Sequence, residues 1–539
     1  MDDRLIIGTR LELCEGCNKC LSKCPVNANN AKITDNRNTV LVDRQRCIYC
    51  GECVTVCDHH ARLYDDDTER FFARLKEGAK ISLLVAPSIR HSLPSYKRLF
   101  GYLKSLGVNL IMDVSFGADI ATWAYLRTLE AGGHSTMIAQ PCPVVVFYIQ
   151  KHMPELIPYL APIQSPTLCA AIYMRNYMKV GDELAFLSPC FAKEREFKDP
   201  NTGGLVTYNV TVEKLKAYLK SQGVRLESYP EAEFDRRSGD LGFTFSRPGG
   251  LRENIEFYAG DKVWVKQVEG TEDMVQYLDQ YAQRIRQNKP TPAIVDILNC
   301  RQGCNMGTGI GEPPQADDVD RRINEQKKTF LQKGGRKPEA ILREMDESLK
   351  LADFARRYTD QSESVRQEAI TDLNSVYEQL GKTTEISRRT NCYACGYGSC
   401  EAFATAVMNG GNDVRNCVEF SRHKLRSGRQ EFGNLFQGLD QQLEEMNQKL
   451  EALRGSGANL NNISMQTRVI SINASIESAR AGQYGRAFGV VASEIRNLAN
   501  KSGEIIQHNQ ASQESLMADI LELERSLRSI HAQMDEALQ

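Results

Sequence analysis

The residues best equipped for chemistry are the 17 cysteines of this 539-residue chain. Eight lie in two runs, Cys14-x2-Cys17-x2-Cys20-x3-Cys24-Pro25 and Cys47-x2-Cys50-x2-Cys53-x3-Cys57. Runs of this spacing wrap three thiolates around one cubane 4Fe-4S cluster and send the fourth to its neighbour. Cys14, Cys17, Cys20 and Cys57 are therefore assigned to one cluster, and Cys47, Cys50, Cys53 and Cys24 to the second. Structural zinc is the alternative, but eight thiolates in this double pattern are rarely zinc sites. Asp58 replaces the proline expected after the second run, a change to the local turn and not to ligation. A third group comprises Cys392, Cys395, Cys400 and Cys417. Three close thiolates on a loop containing Gly396, with a fourth returning beyond EAFATAVMNG, can also enclose a cubane, again with zinc as the alternative. Between these groups stand Gln140-Pro141-Cys142-Pro143, Ser188-Pro189-Cys190-Phe191-Ala192-Lys193-Glu194 and Asn299-Cys300-Arg301-Gln302-Gly303-Cys304. Singly each is weak, because a lone buried cysteine behaves as a small hydrophobe, which is how Cys169 reads.

Elements able to position these residues follow from apolar patterning. The length exceeds what one core can serve, so several domains are expected. Residues 1–65 are Cys-dense and short of apolar runs, as in a small α+β fold held by its clusters. Over 75–312 the composition is that of an α/β domain: ISLLVAPS and ELAFLSPC predict buried strands, KRLFGYLKSLG and ATWAYLRTLEAGG helices. Residues 313–385, with RRINEQKKTFLQK, LADFARRY and ITDLNSVYEQL, predict connecting helices, and 386–430 a small Cys-rich module. From 432 to 539 Pro and Cys vanish and apolar residues recur at spacings of four and three: Leu439, Leu443, Met446, Leu450, Leu453, then Leu516, Ile520, Leu523, Leu527, Ile530, Met534. This is a heptad seam on two long helices, with the turn at Gly482 to Gly485.

Formal charge is −2, from 67 basic and 69 acidic residues, so nothing in the balance points to nucleic acid or an acidic membrane surface. No apolar run approaches the roughly 18 residues of a membrane span, and the first residues, MDDRLIIGTR, are not a secretory leader. A cytoplasmic protein is expected, where thiols stay reduced and cysteine groups bind metal.

The first 60 residues resemble two-cluster bacterial ferredoxins, and residues 1–312 together resemble [FeFe]-hydrogenases. That resemblance implies that Cys142, Cys190, Cys300 and Cys304 hold a cubane. Cys304 would bridge it to a two-iron unit carrying CO, cyanide and a dithiolate bridge, the pair forming an H-cluster. It also implies that Lys193 donates to a cyanide and that Pro87 and Ser88, in VAPS, face the other side of the diiron unit. Departures accompany the matches. Pro141 stands where fast members carry a proton-delivering cysteine, Ser188 and Leu298 replace family methionines, and Ala124 and Tyr125 replace paired glutamates of the proton route. Water or Glu130 would have to substitute, and slow turnover is expected. The module at Cys392 to Cys417 resembles four-cysteine 4Fe-4S modules of electron-transfer subunits and hydrogen-sensing proteins.

Residues 463–501 resemble the signalling tip of methyl-accepting chemotaxis receptors, with Met465, Val469, Ile470, Asn473, Glu477, Arg480, Arg486 and Val490 at matching positions. Met465 stands where receptors usually have Phe. The resemblance implies a long antiparallel helical hairpin, a homodimer, and a histidine kinase and coupling protein as partners.

Three functions are carried forward. The first is a hydrogen-sensing [FeFe]-hydrogenase of low activity that acts on H2 and protons and relays electrons through three 4Fe-4S clusters besides the H-cluster. The second is an ordinary ferredoxin-linked hydrogenase that the hairpin merely dimerises. The third is a hydrogenase-like iron-sulfur protein with no diiron unit.

Overall fold

The computed structural model describes residues 7–34, 37–236, 238–332, 336–365 and 372–537, in two compact units, Met1–Val418 and Glu419–Gln539. In the first unit, β1 (Ile7–Thr9), β2 (Asn29–Thr34), β3 (Arg37–Val42) and β4 (Arg62–Tyr64) form two antiparallel pairs, β1 with β4 and β2 with β3. One-turn helices Lys19–Ser22 and Glu52–Thr55 carry Cys20 and Cys53 inward.

The chain then lays down β5 (Ile81–Val85), β6 (Ile111–Asp113), β7 (Met137–Ile138), β8 (Glu183–Ser188), β9 (Tyr208–Thr211), β10 (Val265–Glu269) and β11 (Ile294–Leu298). They make two parallel sheets, ordered β6-β5-β8-β9 and β10-β11-β7. Every residue of β5 and β11 is buried, as runs such as ISLLV require of parallel strands covered on both faces. The helices Val114–Glu130 and Pro166–Ile172 pack closely because Gly117 brings one backbone onto the other: a Cβ there would stand 2.1 Å from the Pro166 carbonyl. The expected strands and helices of this region are all present.

One connecting segment differs from expectation. RRINEQKKTFLQ lies in the helix Ala316–Gln332, but LADFARRY forms only a 3-10 turn, Leu351–Phe354, before an extended strap. The strap is held by backbone bonds from Gln164 N to Phe354 O and from Arg356 N to Pro162 O, so tertiary pairing overrides helix propensity. Of ITDLNSVYEQL, residues 370 and 371 lie outside the described residues, and Asn374–Gln379 is helical.

The last helix pair is Val418–Arg480 and Arg486–Ala537, joined by a 3-10 turn at Gly482–Gly485. The first helix starts immediately after Cys417 rather than near 432. Its opening turns are polar, so no apolar rhythm marks them in the sequence, yet they contain no proline to stop a helix. Leu443, Leu450 and Ile520 form the buried seam, with Met517 and Leu527 against them. Met446, Leu453, Leu516, Leu523 and Ile530 of the same heptads remain exposed. No helix among the described residues is long and apolar enough to cross a membrane.

Candidate metal centre

Both parallel sheets direct the carboxyl ends of their strands toward one cavity. Ala86, Pro87 and Ser88 follow β5; Pro189 and Cys190 follow β8; Pro141 and Cys142 come a few residues after β7; Asn299 and Cys300 follow β11. Such ends are where open α/β sheets place ligands. Cys142, Cys190, Cys300, Cys304, Pro87, Ser88 and Lys193 all line the cavity. Its walls are otherwise mostly apolar, with Val114, Val144, Phe186, Phe245 and Leu298 among them.

The four thiols act on one another. Burial pushes Cys190 up to about 11, and neighbouring Cys142 adds to it. Burial pushes Cys304 up to about 12, with Cys142 and Cys190 contributing, and drives Cys300 well above the ordinary thiol value. Cys190, Cys300 and Cys304 are thereby held in the neutral form unless a cation joins them, and iron in a cubane supplies one. Ser88 is fully buried, yet its Oγ has no hydrogen-bond partner among the described residues, although it lines the cavity. An orphan hydroxyl in an apolar wall calls for a polar guest. Thiols, hydroxyl and lysine together fit a cubane bearing a further polar group.

Lys193 is held from behind. Its Nζ donates to Glu196 Oε2 at 2.6 Å, to the Pro141 carbonyl at 3.1 Å and to Ser165 Oγ at 3.3 Å. Arg356, from the extended strap, donates to Glu196 Oε1 at 3.0 Å and Asp199 Oδ2 at 3.2 Å, with its side chain 1% exposed. Two cations and two carboxylates thus close a buried network around the cavity's lysine, at a site where removing one member would leave an uncompensated charge.

The N-terminal runs meet the same site. Cys50 lines the cavity, and Asn299 Nδ2 donates to its carbonyl at 3.2 Å. Burial raises Cys50 and Cys53, and the structure brings Cys24 and Cys47 close enough to raise them further. Cys14 and Cys17 act in the same way on Cys20. Cys57 follows the helix Glu52–Thr55 and is half-buried. Lys151 donates to the Cys47 carbonyl at 2.8 Å, and Arg195 lies 5.2 Å from the centre of the Tyr49 ring.

The third cysteine group also converges: burial raises Cys395, and Cys392, Cys417 and Cys400 add to it. This module docks on the N-terminal fold. Ala31 N donates to Gly411 O at 2.9 Å, and Asn416 Nδ2 to Asn38 Oδ1 at 3.2 Å. Gly396, at φ +83°, would bring a Cβ within 3.1 Å of the Ser22 backbone, so only glycine suits this approach.

Glu130 does not line the cavity. It is exposed at the end of the helix Val114–Glu130 and paired with Arg127. Ala124 and Tyr125 are fully buried, and Tyr125 Oη donates to Gln140 Oε1. Cys169 is fully buried, with its Sγ 3.3 Å from Gln164 O. Sequence reasoning missed Glu196, Arg356, Ser165 and Arg62; only Glu196, three residues after Lys193 on one helix, left a local signal.

Residues 79–277 match the family described as iron only hydrogenase large subunit, C-terminal domain. Residues 6–58 match a 4Fe-4S dicluster domain, 389–419 an Fe-S cluster family, and 416–539 the methyl-accepting chemotaxis protein signalling domain. The hydrogenase match includes Cys142, Cys190 and Lys193 and ends before Cys300. Protein NAR1 of Arabidopsis thaliana is 22% identical over 369 residues, 54% of this chain and 78% of that protein. Methyl-accepting chemotaxis protein PscA of Pseudomonas syringae is 34% identical over 107 residues, 19% of this chain and 17% of that receptor. PctB of Pseudomonas aeruginosa is 41% identical over 80 residues, 15% of this chain and 12% of that receptor. The chain thus spans only a small part of the receptors it matches. A solved variant of [FeFe]-hydrogenase HydA1 from Chlamydomonas reinhardtii superposes with a TM-score of 0.42 at 18% identity, over 55% of this chain and 100% of that one.

Proposed function

The chain being a hydrogenase-like domain fused to iron-sulfur modules and a chemotaxis-type signalling domain, we propose that it senses hydrogen: H2 reacts slowly in the cavity and the released electrons alter the signalling hairpin. The observation that carries this reading is the single cavity that gathers Cys142, Cys190, Cys300, Cys304, Lys193, Pro87 and the unpartnered Ser88 hydroxyl from the ends of two sheets. An H-cluster bound there would supply the splitting of H2 into two protons and two electrons. Lys193 would turn one of its three N–H donors from a protein acceptor toward an anionic ligand, a role suited to a compact ammonium. Pro141 carries no transferable proton, which keeps turnover slow. Electrons would leave past Cys50 to the N-terminal clusters and on to the Cys392 to Cys417 cluster docked beside Ser22. The hairpin would form a homodimer and engage a histidine kinase and coupling protein; a ferredoxin is a further electron partner.

The test is infrared spectroscopy of anaerobic protein matured with the diiron unit. CO and cyanide bands that change between argon and H2, together with changed hydrogen exchange over residues 455–505, are expected. Bands without any response of the hairpin favour a hydrogenase that the hairpin merely dimerises. Absence of bands favours a hydrogenase-like iron-sulfur protein without a diiron unit. One observation supports that second class: all three Lys193 donors already have protein acceptors.

A further inference from the structure

Arg62 is a charged side chain hydrogen-bonded to the sulfur of a cluster cysteine. It sits on β4, 6% exposed, and its guanidinium is fixed at both ends. NH1 donates to Thr9 Oγ1 at 2.8 Å; NH2 donates to Asn29 Oδ1 at 2.7 Å and to Cys20 Sγ at 3.2 Å. Thr9 Oγ1 is itself anchored to Val40 O at 2.8 Å, and Asn29 Nδ2 to the carbonyl of Cys20 at 2.7 Å. No carboxylate pairs with Arg62 among the described residues, and its electrostatic partners are Cys20, Cys53 and Cys14. A buried guanidinium needs a compensating anion, and among the described residues the candidate is the thiolate set that would hold the cluster.

We propose that Arg62 sets the reduction potential of the cluster held by Cys14, Cys17 and Cys20, stabilising its reduced form so that an electron rests there before passing to the Cys392 to Cys417 cluster. A cluster that gains one electron gains one negative charge. A fixed cation hydrogen-bonded to its sulfur favours that state, and more strongly away from water. In the C-terminal group the environment of Cys400 differs: its Sγ faces the Thr390 carbonyl, an acceptor, at 3.7 Å. Ser22, two residues after Cys20, abuts Gly396, so a ligand of the biased cluster lies near the outgoing module. Arg62 would then make the relay a threshold device, passing electrons to the C-terminal cluster only once its neighbour is filled. The threshold role rests on the sensing reading; the effect on potential does not.

The test is an EPR-monitored redox titration of the full chain with reconstituted 4Fe-4S clusters and a chemical reductant, so that it needs neither H2 nor a diiron unit. Arg62→Met should lower the midpoint of one N-terminal cluster and leave the C-terminal one unchanged, while Arg62→Lys should retain most of the wild-type value. A structural role alone would affect both variants alike. In wild-type protein carrying 15N-arginine, pulsed EPR of the reduced cluster should show coupling to one arginine nitrogen, which keeps the proposal testable if Arg62→Met loses its cluster. Unchanged midpoints in Arg62→Met, an equal shift of every cluster, or absence of arginine coupling would overturn the proposal. Failure of the infrared test above would leave these outcomes intact.

Discussion

Asn299 Nδ2 donates to the Cys50 carbonyl at 3.2 Å, so the residue before one cavity cysteine touches a cysteine of the N-terminal runs. Thr271 Oγ1 lies 2.7 Å from Glu52 Oε1 and 3.0 Å from Asn299 Oδ1, and its one proton serves either acceptor at the junction between the two folds. Replacing Asn299 by Val removes a buried hydrogen bond, at a cost of about 1 kcal/mol, and deletes a through-bond step. Stopped-flow spectroscopy under H2 should then show slower reduction of the N-terminal clusters while the infrared bands of the cavity stay in place.

Arg356 and Lys193 should differ as stability determinants. Arg356→Met strands Glu196 and Asp199 in the core with only Lys193 to oppose them, a loss of about 3–5 kcal/mol. Lys193→Met leaves Glu196 paired with Arg356 and should destabilise less. Thermal melting of anaerobic protein would rank them; equal losses would place the network's weight elsewhere.

His91 predicts acid sensitivity. Burial, with Arg90 and Arg322 adding to it, lowers its pKa from 6.5 to about 4. Between those values the unfolded chain holds the proton and the folded chain does not, so stability falls as pH drops through that window. The loss is on the order of 1 kcal/mol at about pH 5.5. His91→Gln should flatten this part of the pH dependence of the melting temperature, above the range where the carboxylates titrate.

The hairpin presents two separable stripes. Leu450 is in the intrachain seam, whereas Leu453 is 53% exposed. Leu450→Lys should therefore lower helicity measured by circular dichroism. Leu453→Lys should keep helicity and convert a dimer to monomers in light scattering, because a second chain buries the outer stripe.

Cys395→Ser tests the last relay step. It should remove about four irons per chain, leave the cavity's infrared bands unchanged and abolish the H2-dependent exchange change over 455–505. Persistence of that change would route the signal around this cluster.

Much of the site was legible because its chemistry is written locally. Each N-terminal run fits within a few residues, and ISLLV and ELAFLS announce buried strands that are followed by Ser88 and Cys190. Arg356 was not legible: its carboxylates lie far back in the sequence, and LADFARRY carries a helical composition that the pairing with Pro162 and Gln164 overrides. Glu130 misled for the converse reason. Lying near the right residues in sequence fixes no helix face, and its face belongs to solvent and Arg127. Arg62 is one arginine among many until β4 sets it against Cys20.

The distribution of the cavity's thiols over both sheets has a consequence for how the protein is made. The two N-terminal sites draw on residues within Cys14 to Cys57, and the third on Cys392 to Cys417, stretches that a chain leaving the ribosome can close soon after each emerges. Cys142 and Cys304 meet only after β7, β8 and β11 have docked, a long-range closure that comes late in folding. A chain stalled before β11 would therefore fill its N-terminal sites and lack the central one. Loading of this protein should thus proceed in an order set by topology, with the reactive chamber furnished after the N-terminal sites, inside walls that already stand.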